Sequence, residues 1–139
     1  MRKLSRPLSV LTLLASMLLA ACGGPTVYAL VGTARSIGTD GSVEVEEGEG
    51  GNYMVEVQVN HLPPPARLGE GLTTYVVWFI REGVAPTLAG SLNFNEEERN
   101  GRLIATTPYS QFRVRVTAEE TRDVPSPSEF IVADQLVQE

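Results

Sequence analysis

A chain of 139 residues has room for one domain and little more, and its 17 acidic groups outnumber its 11 basic ones, for a formal net charge of −6. That balance repels phosphate backbones, so no nucleic-acid partner is expected. A single cysteine rules out an internal disulfide and a cysteine-cluster zinc site, and a single histidine rules out a metal centre built from several.

In chain order, Arg2, Lys3 and Arg6 precede an apolar run from Leu8 to Leu19, and Leu19-Ala20-Ala21-Cys22-Gly23 follows. A basic start, a short apolar stretch and small residues at a cleavage point together predict a secretory signal. The apolar run is short for a membrane span. The stretch resembles the lipobox of bacterial lipoproteins. That resemblance implies removal of residues 1–21, lipidation of Cys22, and membrane attachment through its acyl chains. The alternatives are a plain signal peptide or an uncleaved anchor with an incidental cysteine. Four positions match together and no second cysteine exists, which favours lipidation. One acyl chain holds marginally at about 0.8 kcal/mol per buried CH₂, whereas the two or three chains of a lipoprotein hold firmly. An aspartate after the cysteine would signal inner-membrane retention in enteric lipoproteins, so Gly23 implies the outer membrane. Three basic residues and no acidic one lie in positions 1–21, which leaves eight arginines against seventeen carboxylates and a net charge of −9.

Downstream, period-two alternation and turn residues recur, and no stretch shows a helical period. A first strand is expected over Val27–Arg35, closed by the turn Gly38-Thr39-Asp40-Gly41. Ser42–Glu47 alternates, with Val43 and Val45 against Glu44 and Glu46. A glycine-rich connection from Gly48 to Gly51 follows. Asn52–Leu62 is the clearest strand: Tyr53, Val55, Val57 and Val59 oppose Glu56, Gln58 and Asn60, and Pro63-Pro64-Pro65 ends it. Thr73–Arg81 is apolar on both faces, as a central strand would be. A weaker strand, Thr87–Phe94, and the polar turn from Asn95 to Gly101 lead to Arg102–Thr107. Phe112–Ala118 sets Phe112, Val114 and Val116 against Arg113, Arg115 and Thr117. After Val124-Pro125-Ser126-Pro127, a last strand is expected over Glu129–Val137.

Seven or eight short strands punctuated by Gly and Pro predict an all-β domain over residues 26–139. The expected form is a single immunoglobulin-like or fibronectin III-like sandwich of antiparallel strands. Residues 22–25 are the lipidated cysteine and a short tether. Gly23, Gly24 and Pro25 span at most about 10 Å, so the domain should lie almost on the bilayer.

Over about 55 residues, Tyr75-Val-Val-Trp78, Gly90-Ser-Leu92, Val114-Arg-Val116-Thr117-Ala-Glu119 and Pro125-Ser-Pro127-Ser128 follow in order. This pattern resembles the extracytoplasmic C-terminal domain of anti-sigma-K-type factors and similar domains in bacterial lipoproteins. The resemblance implies an immunoglobulin-like sandwich facing the periplasm or its equivalent. Those factors also carry a cytoplasmic sigma-binding region and a spanning helix. No counterpart is expected here, so sigma-factor binding does not carry over.

Trp78, Val76 and Ile80 share one side of their strand, where a buried core tryptophan is expected. The other side carries Tyr75, Val77 and Phe79. If that strand pairs with Phe112–Ala118, Arg113 and Arg115 would lie beside those aromatics. The result would be either a packed cross-strand cluster or an exposed aromatic–arginine face for a protein partner. Tyr75, Val77, Phe79, Arg113 and Arg115 are therefore the candidate interaction face. Glu44, Glu46, Glu47 and Glu49, and separately Glu96, Glu97 and Glu98, lack the spacing of a calcium loop and read as solvated acidic edges. His61 stands at a strand end without a nucleophile motif. No catalytic residue, cofactor or metal is expected. These readings converge on a non-enzymatic binding or structural module at the cell envelope with an envelope protein as partner. An accessory sensor in envelope signalling and a glycan-binding module are the alternatives.

Overall fold

The computed structural model describes residues 23–139, so the expected signal segment and the expected lipidation site, Cys22, lie outside the described residues. Nine strands form: β1 Thr26–Gly32, β2 Asp40–Glu47, β3 Tyr53–Asn60, β4 Thr74–Ile80, β5 Thr87–Ser91, β6 Asn93–Asn95, β7 Asn100–Thr107, β8 Gln111–Glu119 and β9 Ile131–Gln138. The only helical segments among the described residues are single 3-10 turns at Glu49–Gly51 and Pro65–Arg67. Every pairing is antiparallel, and the strand order is β5-β4-β8-β9-β1-β2-β3-β7-β6.

Alternation sets which residues go inward. β2 and β3 pair so that Val43 faces Val57 and Val45 faces Val55, and all four are buried. β8 sends Phe112, Val114, Val116 and Ala118 into the same core, which Leu30, Leu92, Val132 and Val137 complete. Each fully buried Val, Leu or Phe side chain contributes about 1.5–3 kcal/mol. With so few aromatic residues, the core is built mainly of valine, one of the β-branched residues that suit a pleated surface.

Seven or eight strands in a sandwich were the expectation; the nine strands instead hydrogen-bond as one continuous sheet. The ninth arises because the segment expected as one strand over Thr87–Phe94 divides at Leu92. Residues before Leu92 pair with β4 at one end of the sheet, and residues after it pair with β7 at the other. A single residue therefore joins the two edges, and the sheet must roll into a nearly closed barrel. The Leu92 N–H donates to the Tyr75 carbonyl of β4 at 2.9 Å, its side chain is buried, and the Phe94 ring packs edge-on against Tyr75 at 5.2 Å. Closure leaves little strand edge open to pairing with another chain.

The loosest junction is β1–β9. Only Val31 with Asp134 and Gly32 with Ala133 are in register there. Towards the start of β1, side chains hold the strands together: Tyr28 Oη donates to the Gln138 carbonyl at 2.7 Å, and Thr26 Oγ1 donates to Glu139 Oε2 at 3.1 Å. Partial burial and the neighbouring Glu139 push the Tyr28 phenol up.

Candidate functional site

The expected pairing of the Trp78 strand with Phe112–Ala118 forms, but its consequences for the two faces are the reverse of expectation. Directly opposed residues of an antiparallel pair share a face. Tyr75 opposes Ala118, Val77 opposes Val116, and Phe79 opposes Val114, all within the core. Tyr75, Val77 and Phe79 are 0%, 0% and 5% exposed. The Phe79 ring lies 5.0 Å from that of Phe112. Tyr75 Oη donates to the Pro63 carbonyl, and burial pushes its phenol up. Arg113 and Arg115 instead oppose Ile80 and Trp78 on the outer face. The five residues expected on one face are thus divided three inside and two outside. The cause is that both sides of β4 are apolar, so its own pattern could not choose the inward one. A one-residue difference exchanges the faces of a strand.

Trp78 also departs from expectation, since it is 1% exposed yet lies outside the central core cluster. Its neighbours across the sheet are Leu88 on β5 and Arg115 on β8. The indole Nε1–H donates to Thr117 Oγ1 at 2.9 Å, and that hydroxyl donates to Glu119 Oε1 at 2.6 Å. The Ser128 N–H meets the same carboxylate oxygen at 2.8 Å, and Ser128 Oγ donates to the Ala118 carbonyl at 2.9 Å. The segment after β8 is thereby tied back onto this end of the sheet. A buried carboxylate needs such donors to offset its desolvation.

The other end of the same outer face is open and differently charged. Asp134 on β9 accepts from Arg113 Nη1 at 3.0 Å, and from Arg115 Nε and Nη2 at 3.3 and 2.9 Å. Leu136 lies beside this group at 39% exposed, and Leu88 across the sheet is 40% exposed. Beyond them is a depression of about 810 Å³, lined among others by Ile80, Arg81, Tyr109, Arg113 and Leu136. The Arg81 guanidinium carbon sits 3.4 Å from the centroid of the Tyr109 ring, a cation–π contact. The structure thus joins Arg113 and Arg115 with Asp134, Arg81, Tyr109 and Leu136, none of which sequence reasoning singled out. Asp134 carried one usable signal: it is the one charge inside the last strand rather than at its start, following a strand that carries two arginines.

The remaining candidates are dispersed. His61 is exposed in a left-handed conformation (φ 57°), with Nδ1 2.5 Å from Asp40 Oδ1. Leu62 and Arg99 brace its backbone: Leu62 N–H donates to the Arg99 carbonyl at 2.9 Å, and Arg99 Nε returns a bond to the Leu62 carbonyl at 3.2 Å. Glu46, Glu47, Glu49, Glu96, Glu97 and Glu98 are exposed, and among the described residues no three metal-binding side chains converge. Glu56 has a strongly altered carboxyl. Arg102 grips it with two bonds at 2.6 and 2.8 Å, Gln58 adds one at 2.6 Å, and these hold it down at about 2. Glu44 lies directly across the ladder from Glu56, so Arg102 also relieves a like-charge pair.

A small second depression of about 230 Å³ lies between Arg35, Arg67 and Phe130, with Arg35 stacked 4.9 Å from the Phe130 ring. No protein-family model matches the chain, and neither a curated protein nor a solved structure matches it.

Proposed function

We propose that this chain is a lipid-anchored, non-enzymatic interaction module of the bacterial envelope, attached through Cys22 and engaging its partner with its open outer face. That face runs from Leu88 through Arg115 to Leu136, and it is the observation that carries the reading. It offers exposed apolar side chains beside arginines, the mixture that favours a protein partner. An outer-membrane location follows from the lipobox resemblance and Gly23.

The fold reading that accompanies this proposal is immunoglobulin-like. Taken without β1, the strand order divides into β2-β3-β7-β6 and β5-β4-β8-β9. That is the order of the ABED and C′CFG sheets of a sandwich, with β1 as an added strand bridging the two. The short β1–β9 register supports the division at that junction. Such sandwiches carry many unrelated functions, so the fold by itself selects no partner.

A photo-crosslinking residue at Leu88, compared with one at exposed Ile104 on β7, tests the interaction face in intact cells. A discrete adduct from Leu88 alone, lost on Cys22→Ala, is expected. Equal adducts from both positions, or none from either, would refute the assignment of the face.

A further inference from the structure

The open depression lies at the end of the barrel where the described chain begins. Thr26 bonds to Glu139 at 3.1 Å, and the Glu139 N–H donates to the Ser110 carbonyl at 2.8 Å. Ser110, Tyr109 and Gln138 all line the depression. From Thr26 back to Cys22 is four residues, at most about 14 Å of chain.

Three of the eight arginines beyond residue 21 reach this one place: Arg81, Arg113 and Arg115. A guanidinium has five N–H donors. Asp134 engages one from Arg113 and two from Arg115, so both keep donors to spare. Arg81 has no ion-pair partner among the described residues. Planar forks of this kind suit the paired oxygens of a phosphate. Tyr109, Ile80 and Leu136 add the aromatic and apolar wall found at membrane–water interfaces. Negative charge is present as well: Glu82 lines the depression, and Glu139 borders Ser110. A mixed site on residues 22–139, which together carry a net charge of −9, disfavours an anionic surface and suits a headgroup carrying both charges.

We propose that this depression seats the phosphodiester of a zwitterionic phospholipid headgroup, with the arginines on the phosphate and Glu82 towards the ammonium. The inference rests on the lipid-anchored reading, because it takes the headgroup from the bilayer that holds Cys22. Seating it there stands the Leu88–Arg115 stretch beside a neighbour in the same membrane.

The test titrates the protein, purified from its cells in processed form, with soluble dihexanoyl phosphatidylethanolamine. Dihexanoyl phosphatidylglycerol and inorganic phosphate are the comparison arms, and the arginine Nε–H resonances are the readout. The ethanolamine lipid should bind tightest and move Arg81 and Arg113. Arg81→Gln and Arg113→Gln should each weaken it about tenfold, the scale of one charge-assisted hydrogen bond. Asp134→Asn, which releases the arginine donors, should tighten it. If that variant unfolds, Arg81→Gln, at a half-buried position with no ion pair to lose among the described residues, decides alone. Unmoved arginine signals, glycerol lipid or inorganic phosphate binding as tightly, or unchanged affinity in Arg81→Gln would overturn the proposal. The mass of the same sample shows whether Cys22 carries acyl chains, so failure of the anchor and failure of the site are read separately.

Discussion

Replacing Phe79 by alanine tests which face of β4 is the inner one. The ring is 5% exposed and packs against Phe112 at 5.0 Å with a 59° tilt. Withdrawing a phenyl ring from water contributes about 1.5–3 kcal/mol, and the void left by truncation raises the cost of a buried Phe→Ala change to about 3–5 kcal/mol. Phe79 is the penultimate residue of β4, close to the open end of the barrel, so its surroundings can partly close over the gap. That places the expected cost near the lower bound, about 3 kcal/mol. For a domain of this size the loss is a substantial share of a total of about 5–15 kcal/mol.

Urea unfolding followed by Trp78 fluorescence and by circular dichroism measures it. Arg113→Ala is the matched control on the outer face. Its ion pair with Asp134 is partly solvated, with the Arg113 side chain 41% exposed, so the cost should stay below about 1 kcal/mol. If Phe79→Ala cost no more than Arg113→Ala, Phe79 would have to face solvent and the face assignment would fall.

Glu56 should titrate at about 2 in the wild type by carboxyl NMR and move up towards its ordinary 4.5 in Arg102→Ala. Because folding lowers this pKa, its contribution to stability is full above about 4.5 and fades as pH falls towards 2. The wild type should therefore lose more stability than Arg102→Ala between those pH values, and parallel acid-unfolding curves would contradict this. Gly41→Ala should cost at least about 2 kcal/mol in urea unfolding, because a Cβ there would lie 2.0 Å from the Gln58 carbonyl oxygen, a backbone atom that cannot rotate away. Tyr75→Phe should keep the fold and cost about 1 kcal/mol by the same assay, reflecting loss of the hydroxyl bond to the Pro63 carbonyl.

Strands with one apolar face were legible in the sequence. Alternation in Asp40–Glu47, Tyr53–Asn60 and Gln111–Glu119 identified both their existence and their inner residues, because only one face could be buried. β4 defeated the same logic, since Tyr75-Val-Val-Trp-Phe79 buries every residue and has no period to read. Its inner face is fixed only by register against β8, a long-range property that local pattern does not carry. The division at Leu92 was hidden for a related reason: nothing local shows that successive residues pair with opposite edges of a sheet. Arg113 and Arg115 were legible as an outward pair. Asp134 and Arg81, which give that pair its setting, come from other strands and join it only on folding.

The burial of Trp78 outside the central cluster explains why one end of this face is open and the other is not. Val76, Trp78, Thr117 and Glu119 form an outer layer that is almost wholly buried, and Ser128 ties the following segment to it. The chain has thus already used that half of the sheet's outer surface for itself. At Arg115 the layer gives way to ion-paired arginines and part-exposed Leu136, and beyond them to the depression beside Tyr109. An external partner on this face must therefore engage the half nearer the start of β1. The same half carries three of the chain's arginines, so the surface available for binding and the exceptional charge coincide at the end of the barrel where β1 starts.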